Sequence, residues 1–63
     1  MTVVEPWNHG RCVIEVGGRI YQVRQLKVAT SGRLWFQATT PAGQVVALEY
    51  SLERLQKALA RAP

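Results

Sequence analysis

The residues that could do chemistry in this chain are few, and two of them lie close together. His9 and Cys12, the sole histidine and the sole cysteine, are three positions apart. A nucleophilic thiol needs a neighbouring base and an exposed, electropositive setting, whereas the strand pattern turns Cys12 towards the core. One His and one Cys also fall short of the four ligands of a structural zinc site. We therefore expect no catalytic residue, no metal site and no cofactor.

Other catalytic patterns are equally weak. Glu15 and Glu49 are both predicted on the outer face of a sheet, and nothing in the sequence makes them a working acid–base pair. Gly17-Gly18 is not a phosphate-binding loop, because no Lys follows at the required spacing and no helix begins there. A hairpin turn accounts for both glycines. We expect a protein that is not an enzyme.

Basic, amide and aromatic side chains are the ones that could bind a ligand. Eight Lys or Arg against four acidic residues give a net charge of +4, which favours an anionic partner. Lys and Arg neutralise phosphates, Arg and Gln hydrogen-bond to base edges, and an aromatic ring stacks on a base. We interpret one exposed sheet face as the DNA- or RNA-binding site of a small regulatory module. Its predicted residues are Arg11, Gln22, Arg24, Lys27, Arg33, Trp35 and Gln37.

The same face also fits a protein partner. Val13 and Ile20 are predicted among the cations, and with Trp35, Val45 and Ala47 they would form the contact patch of an inhibitor or assembly adaptor from a mobile element. The free edges of the sheet could pair with a partner or with a second copy. A third interpretation is that the charges are simply solvated and that Trp35 is covered by the N-terminal segment or a second subunit.

One small domain, residues 1–63, must position these side chains. Residues 1–10 are predicted to be irregular, residues 11–50 to form an antiparallel sheet and residues 51–62 to form a helix. The predicted fold is mainly β (α+β): a four-stranded antiparallel meander that could curl into a small SH3-like barrel, with the C-terminal helix packed on it. Because such a core is small, we expect a homodimer.

Turn residues predict the strand registers. Gly17-Gly18, as a two-residue loop, pairs Ile14 with Tyr21 and Cys12 with Val23 on the core face. The apolar residues of the second strand then change from odd positions, Tyr21 and Val23, to even positions, Leu26 and Val28. This change indicates a β-bulge near Arg24-Gln25.

The remaining turns lie at Thr30-Ser31-Gly32 and at Thr40–Gly43. The second of these, as a three-residue loop, pairs Ala38 with Val46, Phe36 with Leu48 and Leu34 with Tyr50. A four-residue loop would pair Phe36 with Ala47, which is less favourable.

Helix signals begin at Ser51, a good N-cap. Tyr50 is predicted to pack on Leu55 as a hydrophobic staple. The apolar stripe includes Leu52, Leu59 and Ala62, whereas Arg54, Lys57 and Arg61 are predicted to face solvent. The predicted core is Ile14, Val16, Tyr21, Val23, Leu26, Val28, Leu34, Phe36, Val46, Leu48, Leu52, Leu55 and Leu59.

The compartment is predicted from what the sequence lacks. One cysteine cannot form an internal disulfide, the first residues do not resemble a signal peptide, and no apolar run approaches the length of a membrane span. We expect a cytoplasmic protein of bacterial or mobile-element origin, with no membrane partner.

In element order, the chain resembles three known groups. It is similar to plant AP2-type and integrase arm-binding domains, which present Arg and Trp from a sheet to a DNA groove; Arg24, Arg33 and Trp35 are the corresponding residue types. It also resembles small SH3-like barrels, which bind nucleic acid or peptides. Gln44–Leu55 resembles the carbon storage regulator family of dimeric RNA binders, although Glu49-Tyr50 stands where that family has a basic residue.

Overall fold

The computed structural model describes residues 1–61, which form five strands in one antiparallel sheet and one helix. The sheet is a meander with the strand order β1-β2-β3-β4-β5. The elements are β1 (Thr2–Asn8), β2 (Arg11–Val16), β3 (Arg19–Lys27), β4 (Leu34–Thr39), β5 (Val45–Glu49) and α1 (Leu52–Arg61).

The N-terminal segment is a strand, which corrects the prediction of an irregular segment and of a four-stranded sheet. β1 pairs with β2 through a tight turn at His9-Gly10, where both residues have positive φ (53° and 75°). That backbone matches a type I′ hairpin, and His is among the few non-glycine residues that adopt it with some frequency. The pairing shifts register twice, so β1 is an irregular edge strand that accommodates Pro6.

The hairpin of β2 and β3 has the predicted register. Ile14 pairs with Tyr21 and Cys12 with Val23. Gly17 and Gly18 both have positive φ, at 60° and 79°. Only glycine adopts this conformation at both central positions without steric cost, so the turn fixes which side chains face the core.

β3 is regular, and the bulge predicted near Arg24-Gln25 is wrong. Its pairing with β4 runs without a shift from Gln22 to Lys27. The alternation therefore continues, so that Val23 and Lys27 share the core-side face whereas Arg24 and Leu26 lie on the other. The apolar phase change in the sequence reflects a change of face and not an extra residue.

The hairpin of β4 and β5 begins as predicted and then slips by one residue. Gly43, with φ 89°, donates its N–H to the Thr40 carbonyl at 2.8 Å, as the three-residue loop requires. Thr39 pairs with Val45, but Ala38 pairs with Ala47. Val46 is the extra residue of a β-bulge, which increases local twist and reverses the facing of every later residue in β5.

The helix begins where the sequence predicts. The N–H of Arg54 donates to Ser51 Oγ at 3.1 Å, which is the N-cap hydrogen bond. Lys57 Nζ lies 3.4 Å from Glu53 Oε1, one helical turn away. Leu55 and Leu59 are buried against the sheet. Ala62, the predicted end of the helix, lies outside the described residues.

The core is smaller than predicted because the Val46 bulge turns Leu48 outward and because α1 covers only part of the sheet. The ten residues of the helix span about 15 Å, and it packs on β5, β4 and β2. Four predicted core side chains are instead exposed, and Leu26 is half-buried on the opposite face. The exposed ones are Val28, Leu34, Val46 and Leu48, and the buried residues are Cys12, Ile14, Val16, Tyr21, Val23, Ala38, Leu55 and Leu59.

The sheet curls but remains open. The Trp7 ring of β1 lies 6.0 Å from that of Phe36 in β4, although two strands separate them in the sheet. Within residues 1–61, β1 and β5 do not pair with each other, so the SH3-like barrel is not confirmed. None of the described helices is long and apolar enough to cross a membrane.

Candidate nucleic-acid interface

The outer face of the sheet, which points away from α1, carries a row of side chains across four strands. Arg11 pairs with Arg24, Arg24 with Gln37 and Gln37 with Leu48. We call these residues the basic row. Adjacent strands lie about 4.8 Å apart, so the row extends over about 14 Å. Both arginines are exposed and Gln37 is half-buried.

Most other predicted site residues lie beside this row. Gln22 pairs with Thr39 on one side of it, and Trp35 pairs with Leu26 on the other. Arg33 lies just beyond Trp35, at the end of the β3–β4 loop. The Val28 N–H donates to the Arg33 carbonyl at 3.0 Å and closes this loop.

Lys27 does not belong to this surface. It pairs with Leu34, and the alternation of β3 places it on the same face as the buried Val23. The prediction that Lys27 points outward depended on the bulge, which is absent from this part of the described chain.

Two aromatic rings and two guanidinium groups meet at one corner of the outer face. The Trp35 and Tyr50 ring centroids are 5.8 Å apart, at an interplanar angle of 83°. The guanidinium carbons of Arg33 and Arg54 lie 4.4 Å and 4.6 Å from the Tyr50 centroid. We call these four residues the aromatic corner. Both arginines are within the distance at which a cation is attracted by a ring face.

Arg54 links this corner to the helix. Its Nε donates to Glu49 Oε1 at 3.5 Å, while its guanidinium lies over Tyr50. The side chain of Arg54 nevertheless remains 56% exposed. An ion pair this exposed contributes little to stability, and it is the contact with Tyr50 that places the guanidinium at the corner of the outer face.

A shallow groove lies between the corner and the end of β3. Its volume is about 450 Å³. Apolar and aromatic side chains make up most of its lining, with one cation at its rim. The lining residues are Leu26, Val28, Ser31, Arg33, Trp35 and Leu48.

The carboxylates of the outer face lie at its β1–β2 end. Glu15 lies opposite Ile20, and Glu5 lies opposite Val13 and lines a cavity with Arg11 and Gln22. Glu49 lies opposite Phe36 on the core-side face, and Glu53 forms an ion pair with Lys57 on the helix. Among residues 1–61, the outer face of β3, β4 and β5 therefore presents cations and no carboxylate.

The two residues considered for nucleophilic chemistry lie elsewhere. Cys12 is buried in the core, and burial raises the pKa of its thiol, so that the thiolate is disfavoured at neutral pH. His9 occupies the β1–β2 turn. In residues 1–61, no three His, Cys, Asp or Glu side chains gather as a metal site.

Tyr50, Arg54 and Leu48 were not among the predicted site residues, although Arg54 was expected to face solvent. Leu48 was predicted in the core and Tyr50 opposite Leu34, whereas the Tyr50 ring lies against that of Trp35. One signal was available: a helix of about three turns cannot cover both β5 and all the apolar residues assigned to the core. The excess apolar side chains had to be exposed.

The observed strand registers leave only part of the predicted protein-contact patch exposed. Ile20 and Val45 are exposed as expected, at 40% and 52%, and Val13 is half-buried. Ala47, however, packs against the core. Both edge strands, β1 and β5, carry register irregularities, and such bulges disfavour pairing of an edge with another chain.

No known protein family, curated protein or solved structure matches this chain. The three resemblances in element order therefore gain no support from a match.

Proposed function

We propose that this protein is a non-enzymatic regulatory module that binds nucleic acid through the outer face of its sheet. The observation that carries the proposal is the joining of two features on one surface. The basic row brings Arg11, Arg24 and Gln37 into register, and the aromatic corner adds Trp35 beside it. Cations for phosphates and a ring for bases are the two components of nucleic-acid binding surfaces.

The arginines supply the electrostatic part of the affinity. Arg11, Arg24, Arg33 and Arg54 are exposed on or beside this face. Each phosphate contact releases condensed counterions, so that log K falls with log salt by about 0.7 per contact for a single strand. Four contacts predict a slope of about −3. Gln22 and Gln37 are amides that can hydrogen-bond to base edges or phosphates.

The test is fluorescence anisotropy with labelled 20-mers, single- and double-stranded, from 50 to 200 mM salt. Two variants carry the same loss of charge on the same strand: Arg24→Gln on the outer face and Lys27→Gln on the opposite face. We expect Arg24→Gln to weaken binding and to reduce the salt slope by about 0.7 to 0.9. Lys27→Gln should leave the slope close to that of the parent protein.

Two results would contradict the proposal. One is the absence of salt-sensitive binding to either 20-mer at 50 mM salt. The other is an equal effect of both variants, which would mean that only the net charge matters.

A protein partner on the same face is the second candidate function. Leu48 is 49% exposed and Val46 is 42% exposed on β5, and large exposed apolar patches mark interaction sites. Size exclusion with light scattering separates the candidates. If Trp35→Ala changes the oligomeric mass but leaves nucleic-acid binding intact, the face is a protein interface, and a homodimer is then the simplest form of it.

A further inference from the structure

We propose that the ligand is single-stranded nucleic acid and that one unpaired base occupies the groove beside Trp35. This inference depends on the proposed function and specifies its substrate class. It commits the groove to an occupant whose two parts, the aromatic face of a base and an anionic phosphate, match what the groove and its rim present.

The lining of the groove matches the face of a base. Leu26, Val28, Trp35 and Leu48 offer apolar or aromatic surface. A duplex hides its base faces by stacking and exposes phosphates, sugars and polar base edges. An unpaired base exposes its π face, which stacks on an aromatic side chain whatever its identity. The groove therefore offers little to a duplex and a stacking site to a single strand.

Cations flank the groove on two sides. Arg33 lies at its rim, held over the Tyr50 ring at 4.4 Å. On the other side, Arg24 is two residues from Leu26 on the same face of β3, a distance of about 7 Å. Phosphates on either side of a seated base would thus each meet an arginine. None of the described lining residues is acidic.

Trp35 is held in position before any ligand binds. Its side chain is half-buried, its edge contact with Tyr50 fixes one side, and Leu26 is its partner in the neighbouring strand. A residue already ordered loses less conformational entropy on binding. The groove volume of about 450 Å³ falls within the range of small-ligand pockets, about 300–1,000 Å³.

The experiment compares three labelled 12-mers at one salt concentration: oligothymidylate, an abasic strand of the same charge, and a duplex. We expect the oligothymidylate to bind more tightly than either of the others. Trp35→Leu, which keeps an apolar side chain, should weaken oligothymidylate binding by about 5- to 150-fold and should leave abasic binding unchanged. Circular dichroism confirms that the variant is folded.

A second variant keeps the inference falsifiable if Trp35→Leu does not fold. Val28→Ser alters the groove at a residue that is already 38% exposed, and it should weaken oligothymidylate binding selectively. Ile20→Ser, at an exposed outer-face position outside the groove, is its control.

The possible outcomes separate the two proposals. Equal binding of oligothymidylate and the abasic strand, or tighter binding of the duplex, overturns the single-strand inference while the nucleic-acid function stands. The absence of binding to all three overturns both. Equal losses with Val28→Ser and Ile20→Ser overturn the assignment of the base to the groove.

Discussion

The rings of Trp35 and Tyr50 meet edge to face, with centroids 5.8 Å apart. This contact depends on the bulge at Val46. In the regular register Tyr50 would pair with Leu34 and face the helix, whereas the extra residue turns it to the outer face. A single irregularity in β5 therefore builds the aromatic corner, and the proposed binding surface depends on it.

Removing the Tyr50 ring should destabilise the fold. Tyr50→Leu loses the edge contact with Trp35 and the cation–π contacts with Arg33 and Arg54. An aromatic pair is worth about 0.5–1.5 kcal/mol and each exposed cation–π contact about 0.5–1 kcal/mol, so we expect a loss of about 1.5–3.5 kcal/mol in urea denaturation. Tyr50→Phe keeps the ring and should lose less than about 0.5 kcal/mol. Equal losses would show that the ring contacts are not stabilising.

Two leucines test the register of β5. Leu55 is fully buried, whereas Leu48 is 49% exposed. Leu55→Ala should cost about 2–5 kcal/mol, a large fraction of the roughly 3–9 kcal/mol expected for a chain of this length. Leu48→Ala should cost less than about 1 kcal/mol. Both side chains were predicted in the core, and for Leu48 that prediction followed from the regular register of β5. A large loss with Leu48→Ala would therefore favour the regular register over the observed one.

The parts of the fold that sequence reasoning predicted correctly are those set by local chemistry. Gly17-Gly18 fixes the register of β2 and β3 because few other residues accept two positive φ values. Ser51 marks the start of α1 because its hydroxyl accepts an N–H that the helix cannot pair. The loop at Thr40–Gly43 is determined in the same way.

The failures arise where two arrangements have nearly the same local pattern. An alternating apolar sequence fits a regular strand and a bulged one equally well until tertiary packing chooses between them. In β3 a bulge was predicted and is absent, and in β5 none was predicted and Val46 forms one. Both errors come from assuming that every apolar side chain is in the core, although a helix of ten residues cannot cover them all.

The candidate site was predicted only in part, because it depends on the same strand registers. Arg11, Arg24 and Gln37 lie in the row that the β2–β3 turn implies. Lys27 was included because of the bulge that β3 lacks. Tyr50 was omitted because the bulge of β5 has no clear sequence signature.

Loss of the helix cap should have a defined cost. Ser51→Ala removes the hydroxyl that accepts the Arg54 N–H at 3.1 Å, and we expect a loss of about 1 kcal/mol. Ser31→Ala is the matched control, since its hydroxyl accepts the Arg33 N–H at 3.3 Å in an exposed loop; it should cost less. Thermal denaturation of both variants measures the difference, and equal losses would mean that Ser51 does not cap α1.

The first turn should be open to stabilisation. His9 has φ 53° ahead of Gly10, and Asn-Gly is the preferred pair for this turn type. We expect His9→Asn to raise the free energy of unfolding by about 0.3–1 kcal/mol, because the short polar side chain of Asn is well suited to the left-handed backbone. His9→Val, which is β-branched, should lower it. A gain with His9→Val, measured by urea denaturation, would contradict the left-handed backbone at this position.

The most direct test of the binding surface follows the two indole N–H resonances during a titration with oligothymidylate. Trp35 lies on the outer face beside the groove, whereas Trp7 packs on Phe36 on the helix side of the sheet. We expect the Trp35 resonance to shift with ligand at 50 mM salt while the Trp7 resonance stays in place. A shift of Trp7 alone, or no shift of either, would contradict the proposed binding surface.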